Sequence, residues 1–167
     1  MEQVKGERLT VLFRKRQEEN PTHAHVEESV ACFKKGINCT QAVVSVYGPQ
    51  FGLERETALK VAAAFGSGMG IGETCGAVTG ALMVIGLKHA KVAGITLLSK
   101  EETAEIAQVF IERFKTRHGT VVCKDLLGCD VSTPEGRKTA REEQHFKKRC
   151  PEYVKDAALI LEELLND

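Results

Sequence analysis

Between Gly66 and Gly80, six of fifteen residues are glycine: Gly66, Gly68, Gly70, Gly72, Gly76 and Gly80. Glycine at alternate positions suits a backbone that visits positive φ or lies hard against another surface. Residues 66–72 therefore read as a loop. From Cys75 the small residues recur at every fourth position, Gly76 with Gly80 and Ala77 with Ala81, which is one face of a helix. Each glycine costs about 1 kcal/mol of helix propensity, so that face has to gain from close approach of a partner helix or a ligand. The stretch reads as a glycine-rich loop entering a central helix. Thr74 is placed to cap that helix, which sets Cys75 in its first turn. Unpaired N–H groups and the helix dipole favour negative charge there. This predicts a lowered thiol pKa and a thiolate able to attack disulfides or bind metal. A small, inert core cysteine is the simpler alternative.

The remaining pattern is helical. One helix is expected over residues 8–18, closed by Asn20-Pro21 because the residue before proline leaves the α region. A second opens at Pro21 or Thr22 and stops at Gly36. Asn38 caps a short third helix that runs out at Tyr47-Gly48-Pro49. A fourth spans 55–65, with Ala58, Leu59, Val61, Ala62 and Phe65 inward. The glycine helix follows to about Val92. Ser99 and Glu102 form a capping box for a long helix ending at His118-Gly119. A short helix over 120–127 closes at Gly128, and Pro134 starts a charged helix to about Lys148. After Cys150-Pro151 comes a last helix with Val154, Ala157, Ala158, Leu161, Leu164 and Leu165 as its apolar stripe. No strand and no internal repeat stand out. The expected architecture is a single all-α domain over 1–167, a compact bundle of about seven or eight helices, with 1–20 as an N-terminal helical extension.

Lys+Arg and Asp+Glu number 23 each, so no global field recruits nucleic acid or an anionic membrane. The apolar patch at residues 9–13 is too short for an export signal. The longest apolar run, 77–87, is broken by glycines and ends at Lys88, well short of a membrane span. A cytoplasmic protein is expected. Six cysteines in such a chain, Cys32, Cys39, Cys75, Cys123, Cys129 and Cys150, point to redox chemistry or metal binding rather than a secreted disulfide scaffold. No Cys-x-x-Cys occurs, which removes the thioredoxin and zinc-ribbon signatures. Without Cys-x-x-Cys-His, covalent haem attachment is not supported either. Any joint site has to be assembled by the fold.

Four of the six share a local setting. Cys39 follows Asn38 at a helix start, Cys75 follows Thr74 at another, Cys123 opens a short helix, and Cys150 precedes Pro151, a residue suited to the first helical position. Unrelated core cysteines have no reason to gather at helix entrances, so the pattern favours a joint site. Cys32, mid-helix between Ala31 and Phe33, fits a core position. Cys129 sits in a turn beside Asp130.

The blocks Asn38-Cys39-Thr40-Gln41-Ala42-Val43, Cys75-Gly76-Ala77-Val78-Thr79-Gly80 and Cys123-Lys124-Asp125-Leu126-Leu127-Gly128, followed by Cys150, resemble the redox-active family named for a C…GCAxxG…C…C pattern. The resemblance runs from about residue 26 to the C-terminus. It assigns the family's four characteristic cysteines to Cys39, Cys75, Cys123 and Cys150, and leaves Cys32 and Cys129 outside the set. It implies a redox role in a small cytoplasmic bacterial protein, and names no substrate.

Three functions fit these residues. In the first, Cys75 attacks as a thiolate and Cys39, Cys123 or Cys150 resolves, in exchange with a redox partner or small molecule. In the second, Cys39, Cys75, Cys123 and Cys150 bind zinc, iron or an iron–sulfur cluster. In the third, Gly70, Gly72, Gly76 and Gly80 cradle a small cofactor, although Glu73 and the missing Lys-Ser/Thr argue against phosphate. Glu73 is expected to raise the Cys75 pKa against the dipole. His89, near the end of the glycine helix, is a candidate to reach the site or a residue that simply complements the dipole of the last turn, while His23, His25, His118 and His145 read as surface residues. The Gly76/Gly80 stripe also suits a homodimer interface.

Overall fold

The computed structural model describes residues 21–91 and 93–166; the helix expected over 8–18 lies outside them. Nine α-helices occur among the described residues and no strand does. They are α1 (Pro21–Lys34), α2 (Cys39–Tyr47), α3 (Arg55–Val61), α4 (Gly76–His89), α5 (Leu97–His118), α6 (Cys123–Leu127), α7 (Pro134–Glu142), α8 (His145–Lys148) and α9 (Cys150–Asn166). The fold is all-α, as the periodicity predicts. None of the described helices is long and apolar enough to cross a membrane.

Helix α4 is the centre. Ala77, Val78, Gly80, Ala81, Val84 and Ile85 are all buried, so apolar residues surround the helix instead of forming one stripe, as a helix enclosed by others requires. Helix α2 lies along its small face, and α9 and α5 cover the remainder. A Cβ at Gly80 would stand 3.0 Å from the Thr40 carbonyl oxygen and 3.1 Å from Val43 Cβ. The stripe of small residues is therefore filled by α2 of the same chain, and it offers no face to a second copy. Val154, Ala157, Ala158 and Leu161 of α9 are fully buried against this centre.

Several boundaries differ from the sequence expectation, each for an identifiable physical reason. Thr74 is not the cap of α4: it forms an isolated antiparallel bridge with Val122, which keeps the chain extended and moves the N-cap to Cys75. Helix α4 ends at His89, with Ala90 extended. Helix α3 stops at Val61 and is followed by a 3-10 turn over Ala63–Phe65; Ala58 and Ala62 face the core while Val61 is 52% exposed. Thr96, not Ser99, caps α5, because Thr96 and Ser99 exchange side-chain and backbone hydrogen bonds in a reciprocal box. The charged helix after Pro134 is broken at Gln144, whose φ is 58°, into α7 and α8.

Candidate functional site

Cys39 is the first residue of α2, and Asn38 sets it there. The Asn38 side chain accepts from the Gln41 N–H at 2.9 Å, and the Gln41 side chain accepts from the Asn38 N–H at 3.1 Å. The Asn38 amide also donates to the Ala63 carbonyl at 2.9 Å, tying the start of α2 to the approach of the glycine loop. In that loop Ser67, Gly68, Met69, Gly70 and Gly72 all take positive φ, so five of six consecutive residues turn left-handed. At Gly68 only glycine fits: a Cβ would stand 2.5 Å from the Glu73 backbone nitrogen and 2.9 Å from Cys123 Cβ.

Two backbone hydrogen bonds then clip the next two cysteines together. The Cys75 N–H donates to Val121 O at 2.8 Å, and the Cys123 N–H donates to Glu73 O at 2.6 Å. Each cysteine leads directly into a helix, Cys75 as the N-cap of α4 and Cys123 as the first residue of α6. Cys150 opens α9. Its neighbour Arg149 donates to Leu127 O at 3.0 Å, and Tyr153 donates through its hydroxyl to Leu126 O at 2.8 Å. These bonds fix the start of α9 against the end of α6.

Cys39, Cys75, Cys123 and Cys150 all line one cavity of about 680 Å³. They are 8%, 5%, 5% and 9% exposed, so each offers little surface and all four face the same space. All six cysteines are free thiols. Their helix-entrance setting does not lower their pKa values, contrary to the sequence expectation, because burial outweighs the N–H groups. Burial, then the neighbouring Cys39, raises the Cys75 thiol well above the ordinary range, with only the Ala77 N–H opposing among the main influences. Cys123 is pushed up to about 12 by burial, then by Cys39 and Cys129. Cys150 rises through burial, then through Cys39 and Cys123. Burial raises Cys39 too, and the backbone N–H groups of Ser67, Thr40, Cys39 itself and Gly76 offset only part of that rise, so the thiol stays above its ordinary range. Cys39 and Cys75 each act on, or are acted on by, all three of the other cavity thiols.

The other residues singled out from sequence separate clearly. Gly70 borders the cavity. Gly72 packs on Lys124, where a Cβ would be 3.2 Å from Lys124 Cβ. A Cβ at Gly76 would collide with the Cys39 sulfur and the Thr40 hydroxyl. Gly76 and Gly80 therefore bring α2 and Cys39 against α4 and do not contact the cavity. Glu73 pairs with Lys124 at 3.1 Å, and it is absent from the main influences on Cys75. Cys32 lies in the main core, with an Arg55 guanidinium nitrogen 3.3 Å from its sulfur. Cys129 is half-buried beside the smaller cluster that holds Cys123 and Cys150.

His89 sits at the opposite end of α4 from Cys75, about 20 Å along the helix at 1.5 Å per residue, and does not reach the site. His118 is not a surface residue: its side chain is 9% exposed, 2.9 Å from Asp156, with its ring 5.0 Å from that of Tyr153. His145 is likewise mostly covered and lies 2.8 Å from Glu143. Tyr153, Phe33, Phe146, Arg137 and Arg141 border the cavity and carry no sequence signal of it, since an isolated aromatic or arginine on a helix looks the same on a plain surface. Among the described residues, no three or more His, Cys, Asp or Glu side chains are grouped so as to hold a metal ion.

Residues 37–164 match the family model described as "Putative redox-active protein (C_GCAxxG_C_C)". Neither the curated proteins nor the solved structures contain a match to the chain.

Proposed function

The chain belongs to the C_GCAxxG_C_C family, and from that premise we propose that its four cavity thiols form a two-electron dithiol centre with Cys39 as the attacking sulfur. The single observation that carries this reading is the setting of Cys39. Its sulfur lies directly against Gly76 at the start of α4, it shares the cavity with Cys75, Cys123 and Cys150, and backbone N–H groups from three segments oppose the rise that burial causes. Cys75, which position in the sequence favours as nucleophile, is better suited to resolve. It has weaker N–H support and leads into Gly76, which lies directly against the Cys39 sulfur.

The exchange runs in two steps. Cys39 loses its proton and attacks one sulfur of an organic disulfide, forming a mixed disulfide and expelling the other sulfur as a thiolate. Cys75 then loses its proton and attacks the Cys39 sulfur, closing Cys39–Cys75 and expelling the second thiolate. The two protons end on the two released thiols. The substrate disulfide is reduced by two electrons and the protein dithiol is oxidised. Cys123 and Cys150 line the same space and form the reserve pair to which the disulfide can be passed.

A zinc, iron or iron–sulfur reading draws on the same four sulfurs. Their arrangement does not bring three of them together as ligands, so no step is routed through a metal. The test is oxidation of metal-analysed protein by an organic disulfide, followed by a count of remaining thiols. A Cys39→Ser variant is expected to lose nearly all fast exchange, while a Cys32→Ser variant retains it. Equal exchange rates in the wild type and Cys39→Ser would remove Cys39 from the role. Stoichiometric zinc, or iron with sulfide, would replace the dithiol reading altogether.

A further inference from the structure

The cavity has a charge pattern that the thiols do not explain. Lys34, Arg137, Arg141 and Lys147 border it, and no Asp or Glu does. The chain as a whole is neutral, with 23 basic and 23 acidic residues, so four cations at one mouth are a local excess. Among the described residues, the ion pairs found leave all four unpaired. One of them is also held in place. Arg137 Nη1 donates to Val131 O at 3.0 Å and to Ser132 O at 2.9 Å, which orients the guanidinium and leaves its other nitrogen to meet a ligand.

The walls below are of a different kind. Phe33, Leu126, Leu127 and Phe146 present apolar surface, with Tyr153 beside them. A cavity of about 680 Å³ falls within the range of roughly 300–1,000 Å³ that suits small molecules. Nothing the thiols contribute balances the cations, because burial holds the thiols in their neutral form. An anion that enters the cavity would meet these cations with no carboxylate of the lining to compete for them.

We propose that this cavity binds a small organic anion, its apolar or aromatic body against Phe33, Leu126 and Phe146 and its carboxylate, sulfonate or phosphate among Lys34, Arg137, Arg141 and Lys147. The depth of the sulfurs favours a small molecule over a protein partner. Thiols 5–9% exposed lie out of reach of a disulfide fixed on a folded surface. Binding stands on the cavity alone. Its use as a substrate rests on the dithiol reading above, in which the anion carries an organic disulfide and leaves as two thiols while Cys39 and Cys75 become the disulfide.

The test uses full-length protein and two fluorescent probes of similar shape: 8-anilinonaphthalene-1-sulfonate, which is anionic, and N-phenyl-1-naphthylamine, which is uncharged. The anionic probe is expected to bind wild type and Cys32→Ser alike, since Cys32 does not line the cavity. Arg141→Gln and Lys147→Gln are each expected to weaken it by about tenfold, the loss of one charge-assisted contact, while binding of the uncharged probe is unchanged. Arg141 and Lys147 make no side-chain hydrogen bond or ion pair with any described residue, so these variants are expected to keep the wild-type melting temperature. Indifference of the anionic probe to both variants would overturn the anion site even if the thiols exchange normally. Charge-dependent binding in a protein whose thiols prove inert would uphold the site and overturn only its use as a substrate pocket.

Discussion

Cys39 differs from the other three cavity thiols in what surrounds its sulfur. Backbone N–H groups oppose the effect of burial at Cys39, from three segments, and at Cys75, from Ala77 alone, while burial and neighbouring thiols dominate at Cys123 and Cys150. That distinction was not legible in the sequence, where Asn38-Cys39 and Thr74-Cys75 look equivalent. The donor from Ser67 exists only because the loop folds back on α2. The raised thiols also give a pH dependence whose sign is fixed. Between about pH 9 and about 12, the unfolded chain releases a Cys123 proton that the folded chain keeps. The unfolded state binds fewer protons there, so stability falls as pH rises through this window and is insensitive to these thiols below it. Denaturant titrations at intervals from neutral to alkaline pH check this, and a Cys123→Ala variant is expected to show a shallower decline. Gly76 carries a second prediction at this scale. Because a Cβ there collides with the Cys39 sulfur and the Thr40 hydroxyl, Gly76→Ala is expected to destabilise the fold by about 2 kcal/mol through overpacking, measured by urea unfolding.

At the scale of elements, the helices were readable because their apolar spacing and caps are local properties. Asn38 with Gln41, Gly119 after α5 and Gly128 after α6 act where the sequence places them. Most misplaced boundaries have local causes, such as the Thr96–Ser99 box and the left-handed Gln144, but one has a distant partner competing for the local backbone. Val122 claims Thr74 and so shifts the start of α4 by a residue. The glycine stripe on α4 was recognisable as a close-approach face, but only the fold shows that α2 takes it. Gly80→Leu is accordingly expected to push α2 away, lowering the melting temperature without altering the oligomeric state; an unchanged melting temperature would contradict the packing. Asn38→Ala is expected to cost about 1–2 kcal/mol from loss of the cap. It should also loosen the tie to Ala63 and slow thiol exchange more than a cap elsewhere would.

Across the whole molecule, four helix entrances converge on one cavity at the side of a buried central helix. The chain contributes its cysteines from positions 39, 75, 123 and 150, so no single segment contains the site, and only the blocks taken together in order announce it. Their shared position at helix starts was visible in the sequence. The cavity they enclose, its cationic mouth and the burial of its sulfurs follow from packing between distant segments. On the proposed reading, such a centre is closed to large partners and takes small anions.

The measurement that tests this account most directly is disulfide mapping of protein purified without oxygen, analysed for metal, and then treated with a limiting amount of a small anionic aromatic disulfide such as 5,5′-dithiobis(2-nitrobenzoate). The account predicts a metal-free protein that loses thiols in pairs, with the first linked peptide joining Cys39 to Cys75 and with Cys32 still free. Six thiols that stay free, a first linkage that omits Cys39, or stoichiometric metal held by the four cysteines would contradict it.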